Sequence, residues 1–522
     1  MHFTVKTASL IGVEANPIDA EVDIKPVPSD SPGGIFLMVG LPDAAVRESR
    51  QRIRSAITNT GFYFPLARVT VNLAPADLKK AGSGFDLPVA VGILAANGDL
   101  GKGVERIGDT LFYGELGLDG RVRPVRGALA VAVACARVGI RRLVVSEESV
   151  EEAAVVRGVD VHAAATLADV VRLVRSIIGG HDPLPVRIDA EALLEGLNEY
   201  SVDFSEVKGQ ASSKRALEVA AAGGHNLLMI GPPGSGKTML AKRIPTILPP
   251  FTFEEALETS VVHSVAGLTN GGGLVRVRPF RAPHHTVSDA GLVGGGAPPR
   301  PGEVSLAHNG ILFLDELPEF DRNALEVLRQ PLEDGNVTIA RALMSLTFPA
   351  RLMLVAALNP CPCGRWGDPT GQCRCTPHQI QRYVARISGP LLDRIDIQIE
   401  VPALQYSELA SSKAAEPSSA IRERVMLARE RQKHRYRNAG EPIRANSLMS
   451  ARLVRDHCTL DEASQSRLET AVKRMGLSAR AYHRILKVAR TMADLAGRDR
   501  IAGSDVAEAV RYRSLDRNYW MA

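Results

Sequence analysis

The apolar run Leu227-Leu228-Met229-Ile230 leads directly into Gly231-Pro232-Pro233-Gly234-Ser235-Gly236-Lys237-Thr238, and a helical pattern follows. No other segment constrains the fold so tightly. A glycine-rich turn between a buried strand and a helix matches GxxxxGK[ST] in its required setting and reads as α/β. Its glycines let backbone N–H groups approach phosphate oxygens, and the helix start adds partial positive charge. Lys237 is expected to reach the β- and γ-phosphates, and the Thr238 hydroxyl to ligate Mg²⁺.

A second apolar strand, Ile311-Leu312-Phe313-Leu314, ends in Asp315-Glu316. Two acids at the end of a buried strand are costly unless a cation or ordered water compensates them. Asp315 suits the Mg²⁺ shell, and Glu316 suits polarising an attacking water. A third strand, Val355-Ala356-Ala357-Leu358, ends in Asn359-Pro360, which puts Asn359 within reach of a γ-phosphate or the lytic water. Together these segments describe an ATP-hydrolysing site with Glu316, Lys237 and Asn359 as its working side chains.

The chain has 522 residues, and at roughly 150 residues per domain this suggests about three domains. Residues 1–180 alternate β-branched runs with helical stretches; 181–200 is expected to be a linker, its start marked by the Gly179–Pro185 segment; 201–402 hold the nucleotide motifs. A second linker is expected over 403–420, where Ser411–Ser419 is hydrophilic, and 421–522 reads as helical. There, Ala471–Ala496 is expected to be a helix pair with Ser478 as an N-cap. This last region holds 22 Lys and Arg against 12 Asp and Glu, in a chain whose net charge is only +5. A basic end on an otherwise balanced protein fits a polyanionic partner. The longest apolar run, Ala128–Ala136, is far short of the ~20 residues a membrane helix needs. The N-terminus lacks a basic stretch followed by an apolar one. No membrane association is therefore expected, and a cytoplasmic location is.

Six cysteines are too few for a disulfide scaffold, yet four of them form Cys361-Pro362-Cys363 and Cys373-Arg374-Cys375. Four thiolates so close in sequence can close a tetrahedral structural Zn²⁺ site, with His378 as a substitute ligand. The CxC spacing is tighter than the usual zinc pattern, and reduced cysteines in a turn are the alternative.

The P-loop, the Asp-Glu strand, the Asn-ended strand and the trailing helical region together resemble an AAA+ ATPase. Pro301–Gly310 running into Ile311, Arg278–Thr286 and Leu391-Leu392-Asp393-Arg394-Ile395-Asp396 are similar to the magnesium-chelatase-like branch, and within it to the ComM/YifB family. The resemblance implies a P-loop core with a parallel sheet, a C-terminal helical lid and a homohexameric ring. It also implies a DNA motor acting in branch migration during natural transformation, on single-stranded or branched DNA. On the same resemblance Arg394 is the arginine finger acting on the neighbouring subunit, and Arg480 is the lid arginine contacting ATP, with Arg484 as its substitute. Residues 251–300 resemble an insert of this branch, and Val337–Phe348 a hairpin. Insertions of this kind face the ring's pore, which makes Arg276, Arg278, Arg281 and Arg341 candidate DNA contacts.

The N-terminal region resembles the ribosomal-S5-like fold of Lon-type protease domains. Aligned to that pattern, Gly84 stands at the nucleophile position with Ser83 one residue early, and Leu129 stands where the lysine partner belongs. A serine without an activating base is a poor nucleophile, so this domain is expected to be non-proteolytic. The leading expectation is a DNA helicase or branch-migration translocase. A chelatase-type motor driving metal insertion or remodelling a protein partner is the alternative, and protein unfolding coupled to proteolysis comes third.

Overall fold

The computed structural model describes residues 1–26, 34–41, 43–78, 80, 82–194, 200–269, 273–296, 299–341, 344–367, 373–403, 415–437 and 443–513. Most of the expected 403–420 linker lies outside these, as do 195–199 of the expected 181–200 linker. The chain divides into two compact units, Met1–Gly196 with Thr252–Arg276, and Leu197–Phe251 with Val277–Ala522.

The first unit is built on a seven-stranded mixed sheet. Its order is Ile35–Val39, Arg68–Ala74, Glu14–Lys25, His2–Ile11, Thr110–Phe112, Arg142–Ser146 and Asp160–Ala164. The two long strands form an antiparallel hairpin in which Ile11 pairs with Glu14. Gly12 supplies the positive φ (64°) that this two-residue turn needs. Alternate residues Val5, Ile18, Ala20 and Val22 face inward onto the helix Asp86–Asn97, which is apolar all round and buried from Asp86 to Ala96.

A helix from the middle of the sequence, Phe253–Ala266, belongs to this unit although it lies within 201–402. A capping box between Thr252 and Glu255 starts it. It packs on the helix Ala128–Val138. The buried Glu152 carboxylate fastens it there, accepting hydrogen bonds from Ser264 Oγ at 3.2 Å and Thr269 Oγ1 at 2.5 Å.

The second unit carries a five-stranded, all-parallel sheet. Its order is Phe280–Arg281, Ile311–Leu314, Met353–Leu358, Leu227–Ile230 and Ile397–Glu400. The three central strands are buried along their whole length, as continuous apolar runs covered on both faces require. This is the expected P-loop core. The hairpin expected over Val337–Phe348 is present, with Asn336–Arg341 paired antiparallel to Met344–Pro349. The C-terminal region is helical: Ser418–Tyr436, Ala451–His457, Glu462–Met475, Ala479–Leu495 and Gly503–Arg511. Gly476 (φ 60°) ends one member of the expected pair, and Ser478 Oγ caps the next by accepting the Ala481 N–H. Among the described residues no helix is long and apolar enough to cross a membrane.

Candidate active site

The parallel sheet brings the three sequence-predicted strand ends together. Strand Leu227–Ile230 lies beside Met353–Leu358, which lies beside Ile311–Leu314. Their carboxyl ends therefore deliver the P-loop, Asn359 and Asp315-Glu316 to one edge. In the P-loop, Gly234 (φ 76°) and Gly236 (φ 89°) take conformations costly for other residues. A Cβ on Gly231 would lie 2.1 Å from the Val401 carbonyl oxygen.

Lys237 Nζ is drawn inward, donating to the carbonyls of Gly231 (2.7 Å) and Pro232 (2.9 Å) and to Asn359 Oδ1 (3.2 Å). Burial lowers its pKa, partly offset by the charges of Asp315 and Glu316. Thr238 Oγ1 donates to Asp315 Oδ2 at 2.6 Å. Opened from this hydrogen bond to the O–O edge of about 3.0 Å that Mg²⁺ bonds of about 2.1 Å require, the two oxygens can serve as neighbouring ligands. Ser235 Oγ is buried with no hydrogen-bond partner. The donor set fits a nucleoside triphosphate with its Mg²⁺.

Glu316 sits just past the strand at φ 53°, a left-handed conformation that costs a non-glycine residue about 1 kcal/mol or more. Its carboxylate lies 3.6 Å from His285 Nδ1, and His285 in turn lies edge-on to Phe320. His285 falls in the Arg278–Thr286 segment, but residue type and spacing alone carry no sign that it faces Glu316. Gln210 gave no sequence signal. From its own left-handed position (φ 53°) it donates to the Ser235 carbonyl at 2.6 Å, bracing the P-loop from below.

The two remaining arginines stand elsewhere. Asp396 N–H donates to the Asn226 carbonyl, so the segment carrying Arg394 lies at the amino end of the strands. The four-residue strand Leu227–Ile230, about 13 Å at 3.3 Å per residue, separates it from the P-loop. Arg394 is 5 % exposed; it donates to the Pro390 carbonyl at 2.7 Å and pairs with Glu333. Arg480 also approaches Glu333, at 3.7 Å, from the start of helix Ala479–Leu495. Glu333 thus bridges the two, and the adjacent Arg394 guanidinium holds its carboxyl below the usual range. Arg484 is ion-paired with the buried Asp396.

The expected DNA contacts divide differently. Arg278 is committed internally, donating to the carbonyls of Pro249 (2.7 Å), Asn309 (2.7 Å) and Pro250 (3.2 Å) and lying over the Phe251 ring. Arg281 is locked in a bidentate pair with Glu303 at 2.6 and 2.7 Å. Neither is available as an outward phosphate ligand, a correction to the sequence expectation. Arg276 is exposed, on the segment that belongs to the first unit. The Arg341 side chain lies outside the described residues.

The four cysteines of the 361–375 segment converge. Cys361 Sγ is 3.3 Å from Cys363 Sγ and 3.8 Å from Cys373 Sγ, and all four sulfurs lie within 4.8 Å of one another. These four thiols can hold a metal ion. Backbone hydrogen bonds from Arg374 and Arg365 lower the Cys363 thiol to about 6. His378 is not part of the group.

In the first unit, Gly84 packs against the Tyr113 ring, where a Cβ would come 2.5 Å from Cε2. Leu129 is fully buried. There is no room for a nucleophile at that position.

A five-stranded parallel sheet with a P-loop, an acidic strand end, a polar strand end and a helical C-terminal region defines an AAA+ type ATP-binding core. Family comparison agrees: magnesium chelatase subunit ChlI matches residues 203–409, its C-terminal region matches 415–513, and a further ChlI family matches 26–149. The competence protein ComM of Haemophilus influenzae is 44 % identical over 98 % of this chain and 97 % of its own length. The uncharacterized protein YifB of Escherichia coli is 42 % identical over the same shares. DNA replication licensing factor mcm7 of Schizosaccharomyces pombe is 23 % identical over 60 % of this chain and 40 % of its own. The chain belongs to the ComM/YifB family of magnesium-chelatase-like AAA+ ATPases.

Proposed function

We propose that this protein is an ATP-driven motor on DNA that works as a homohexameric ring in the cytoplasm. The observation that carries the ring is the position of Arg394 and Arg480. Both meet at Glu333, on the edge of the sheet opposite the P-loop, so neither serves the triphosphate held by its own chain. On a neighbouring subunit's γ-phosphate they supply the charge that a loose phosphoryl-transfer transition state needs. Within each chain, Lys237 and the P-loop amides hold the phosphates, and Thr238 and Asp315 would hold Mg²⁺, whose charge would offset that of the phosphates. Glu316 accepts the proton of the attacking water, and Asn359 orients that water.

The DNA assignment is supported by the basic C-terminal region and by the names of two relatives, a competence protein and a DNA replication licensing factor. Branch migration during natural transformation is the pathway that fits a competence relative. The four cysteines are read as a structural Zn²⁺ site, closed to catalysis because four protein ligands leave no open position.

Steady-state ATPase rates with no DNA, single-stranded, duplex and four-way-junction DNA test the reading, with Glu316→Gln as background. Stimulation that is strongest with branched or single-stranded DNA and fades with salt is expected. The family's chelatase members favour a second reading, a motor driving metal insertion or remodelling a protein partner. A rate indifferent to every DNA would select it.

A further inference from the structure

The cysteine cluster is built into the wall of the nucleotide site. Strand Met353–Leu358 delivers Asn359, and only Pro360 separates Asn359 from Cys361, whose side chain is fully buried. The turn then comes back onto the P-loop. Gly364, at φ 76°, lies so close to Pro233 that a Cβ would sit 2.4 Å from its Cδ, and its N–H bonds the Cys361 carbonyl at 2.9 Å. Trp366 N–H donates to Cys361 Sγ at 3.3 Å. Beyond Cys375, helix Pro377–Val384 carries Tyr383, which shares a hydrogen bond with the Asn359 backbone. One small knot of sulfur therefore touches both halves of the γ-phosphate site, the P-loop through Gly364 and Pro233 and the water-orienting asparagine through the chain itself.

The sulfur spacing suits an ion. A tetrahedron with Zn–S bonds of about 2.3 Å has edges of about 3.8 Å. The recorded separations are 3.3, 3.6 and 3.8 Å. A cation between them holds all four as thiolates, while without it they are separate thiols with no common bond. Without it, nothing draws Cys373 and Cys375 onto Cys361 and Cys363, and the position of Asn359 relaxes with that loss.

We propose that the Cys361–Cys363–Cys373–Cys375 centre, with Zn²⁺ bound, is a clasp that fixes Asn359 against the P-loop, so that metal occupancy sets the rate of ATP hydrolysis rather than the affinity for ATP. This rests on the zinc reading and on the assignment of Asn359 to the water. Affinity is spread over the P-loop amides and Lys237, which also donates to the carbonyls of Gly231 and Pro232 and so keeps its place when Asn359 shifts. Hydrolysis requires the water to be held in line, where a displacement of about 1 Å costs on the order of a hundredfold.

The test uses the full chain purified without metal-affinity resin. Zinc is counted by elemental analysis, Co²⁺ is exchanged in to look for tetrahedral thiolate absorption, and turnover and binding of a fluorescent ATP analogue are measured together. The expected results are about one zinc per chain, a Co²⁺–thiolate spectrum, and a turnover loss of ten- to a hundredfold on stripping zinc with Mg²⁺ in excess. Affinity should change less than threefold, and added Zn²⁺ should restore the rate.

Cys363→Ser with Cys373→Ser should behave as the stripped protein. If thermal melting shows that variant unfolded, stripping and re-adding zinc on the wild-type chain decides, since it changes no side chain. Absence of both zinc and Co²⁺ uptake overturns the zinc reading and the clasp with it. Bound zinc whose removal leaves turnover unchanged overturns the clasp alone. DNA stimulation plays no part in either result, so the motor assignment is judged separately.

Discussion

The two units of this protein each place a tight glycine turn ahead of a helix, and only one of them does chemistry there. In the first unit the turn reaching Gly84 opens the buried helix Asp86–Asn97, but Tyr113 fills the space above the glycine and Arg52 holds Asp86 from 2.8 Å. The Asp86 carboxylate is further committed to the Leu116 N–H at 3.3 Å. In the second unit the P-loop opens the helix starting at Lys237, and its side chains converge on a common point with capacity left over: Ser235 Oγ has no partner, and Thr238 and Asp315 share one proton between two oxygens. The lesson is that a glycine turn becomes a site only where converging side chains are left incompletely satisfied.

The contrast can be broken most sharply in the second unit. Arg394→Ala should lower turnover by about a thousandfold or more while leaving ATP binding nearly intact. Mixing it with Glu316→Gln chains should restore part of the rate, because each mutant then supplies what its neighbour lacks. Steady-state hydrolysis across a titration of the two variants measures this, and a mixture no faster than either parent would show that Arg394 does not act between subunits. Glu316→Gln alone should cost about a hundred- to ten-thousandfold in turnover with binding preserved. Lys237→Ala, by contrast, should abolish binding of a fluorescent nucleotide. Equal binding by Lys237→Ala and the wild type would refute the P-loop assignment.

The first unit should respond in stability alone. Gly84→Ser, which restores a hydroxyl at the protease position, should gain no peptidase activity and should destabilise the unit by about 1–3 kcal/mol, since the side chain overlaps Tyr113. Chemical denaturation with a casein-cleavage assay checks both halves.

The smallest effect separates the units by the sign of their pH dependence. Burial raises the Asp86 carboxyl from 3.8 to about 6, against the pull of Arg52. The native first unit therefore binds more protons than its unfolded chain between about pH 4 and 6, and this group's contribution is lost as pH rises through about 6. In the second unit burial lowers the pKa of His225, which lies 3.5 Å from Asp396, below 6.5. That contribution is present above pH 6.5 and is lost as pH falls below it. Hydrogen exchange resolved by region at pH 4.5 and 6.5 should show opposite trends in the two units, and Asp86→Asn should flatten the first one only.

The meeting of the strand ends in the second unit was legible where chemistry and neighbourhood coincide along the chain. Gly231–Thr238, Asp315-Glu316 and Asn359 each end an apolar run, and parallel pairing of those runs brings their ends together without further information. Ser478 was legible for the same reason, since a cap acts on the residues that follow it. What sequence could not supply was partnership across distance. Glu333 meets Arg394 across 61 positions, and nothing in its local pattern sets it apart from the other acids. Arg278 and Arg281 looked like free cations because neither the carbonyls converging on Arg278 from Pro249, Pro250 and Asn309 nor the Glu303 partner of Arg281 leaves a trace in local residue type. The helix Phe253–Ala266 shows a clear capping box, yet the burial of Glu152 that recruits it to the first unit is decided a hundred residues earlier.

The carboxylate of Glu333 faces two guanidiniums, and one negative charge cannot neutralise both. A surplus positive charge is left at that corner of each chain. On the proposed ring the facing corner of the next subunit carries the nucleotide, and a triphosphate is more negative than a diphosphate. Within a screening length of about 8–10 Å that difference speeds the encounter of freshly loaded chains over spent ones. Subunits holding ATP should then associate faster than those holding ADP at low ionic strength, and the advantage should fade as salt is added. The order of assembly would be sorted by nucleotide state before any two surfaces touch.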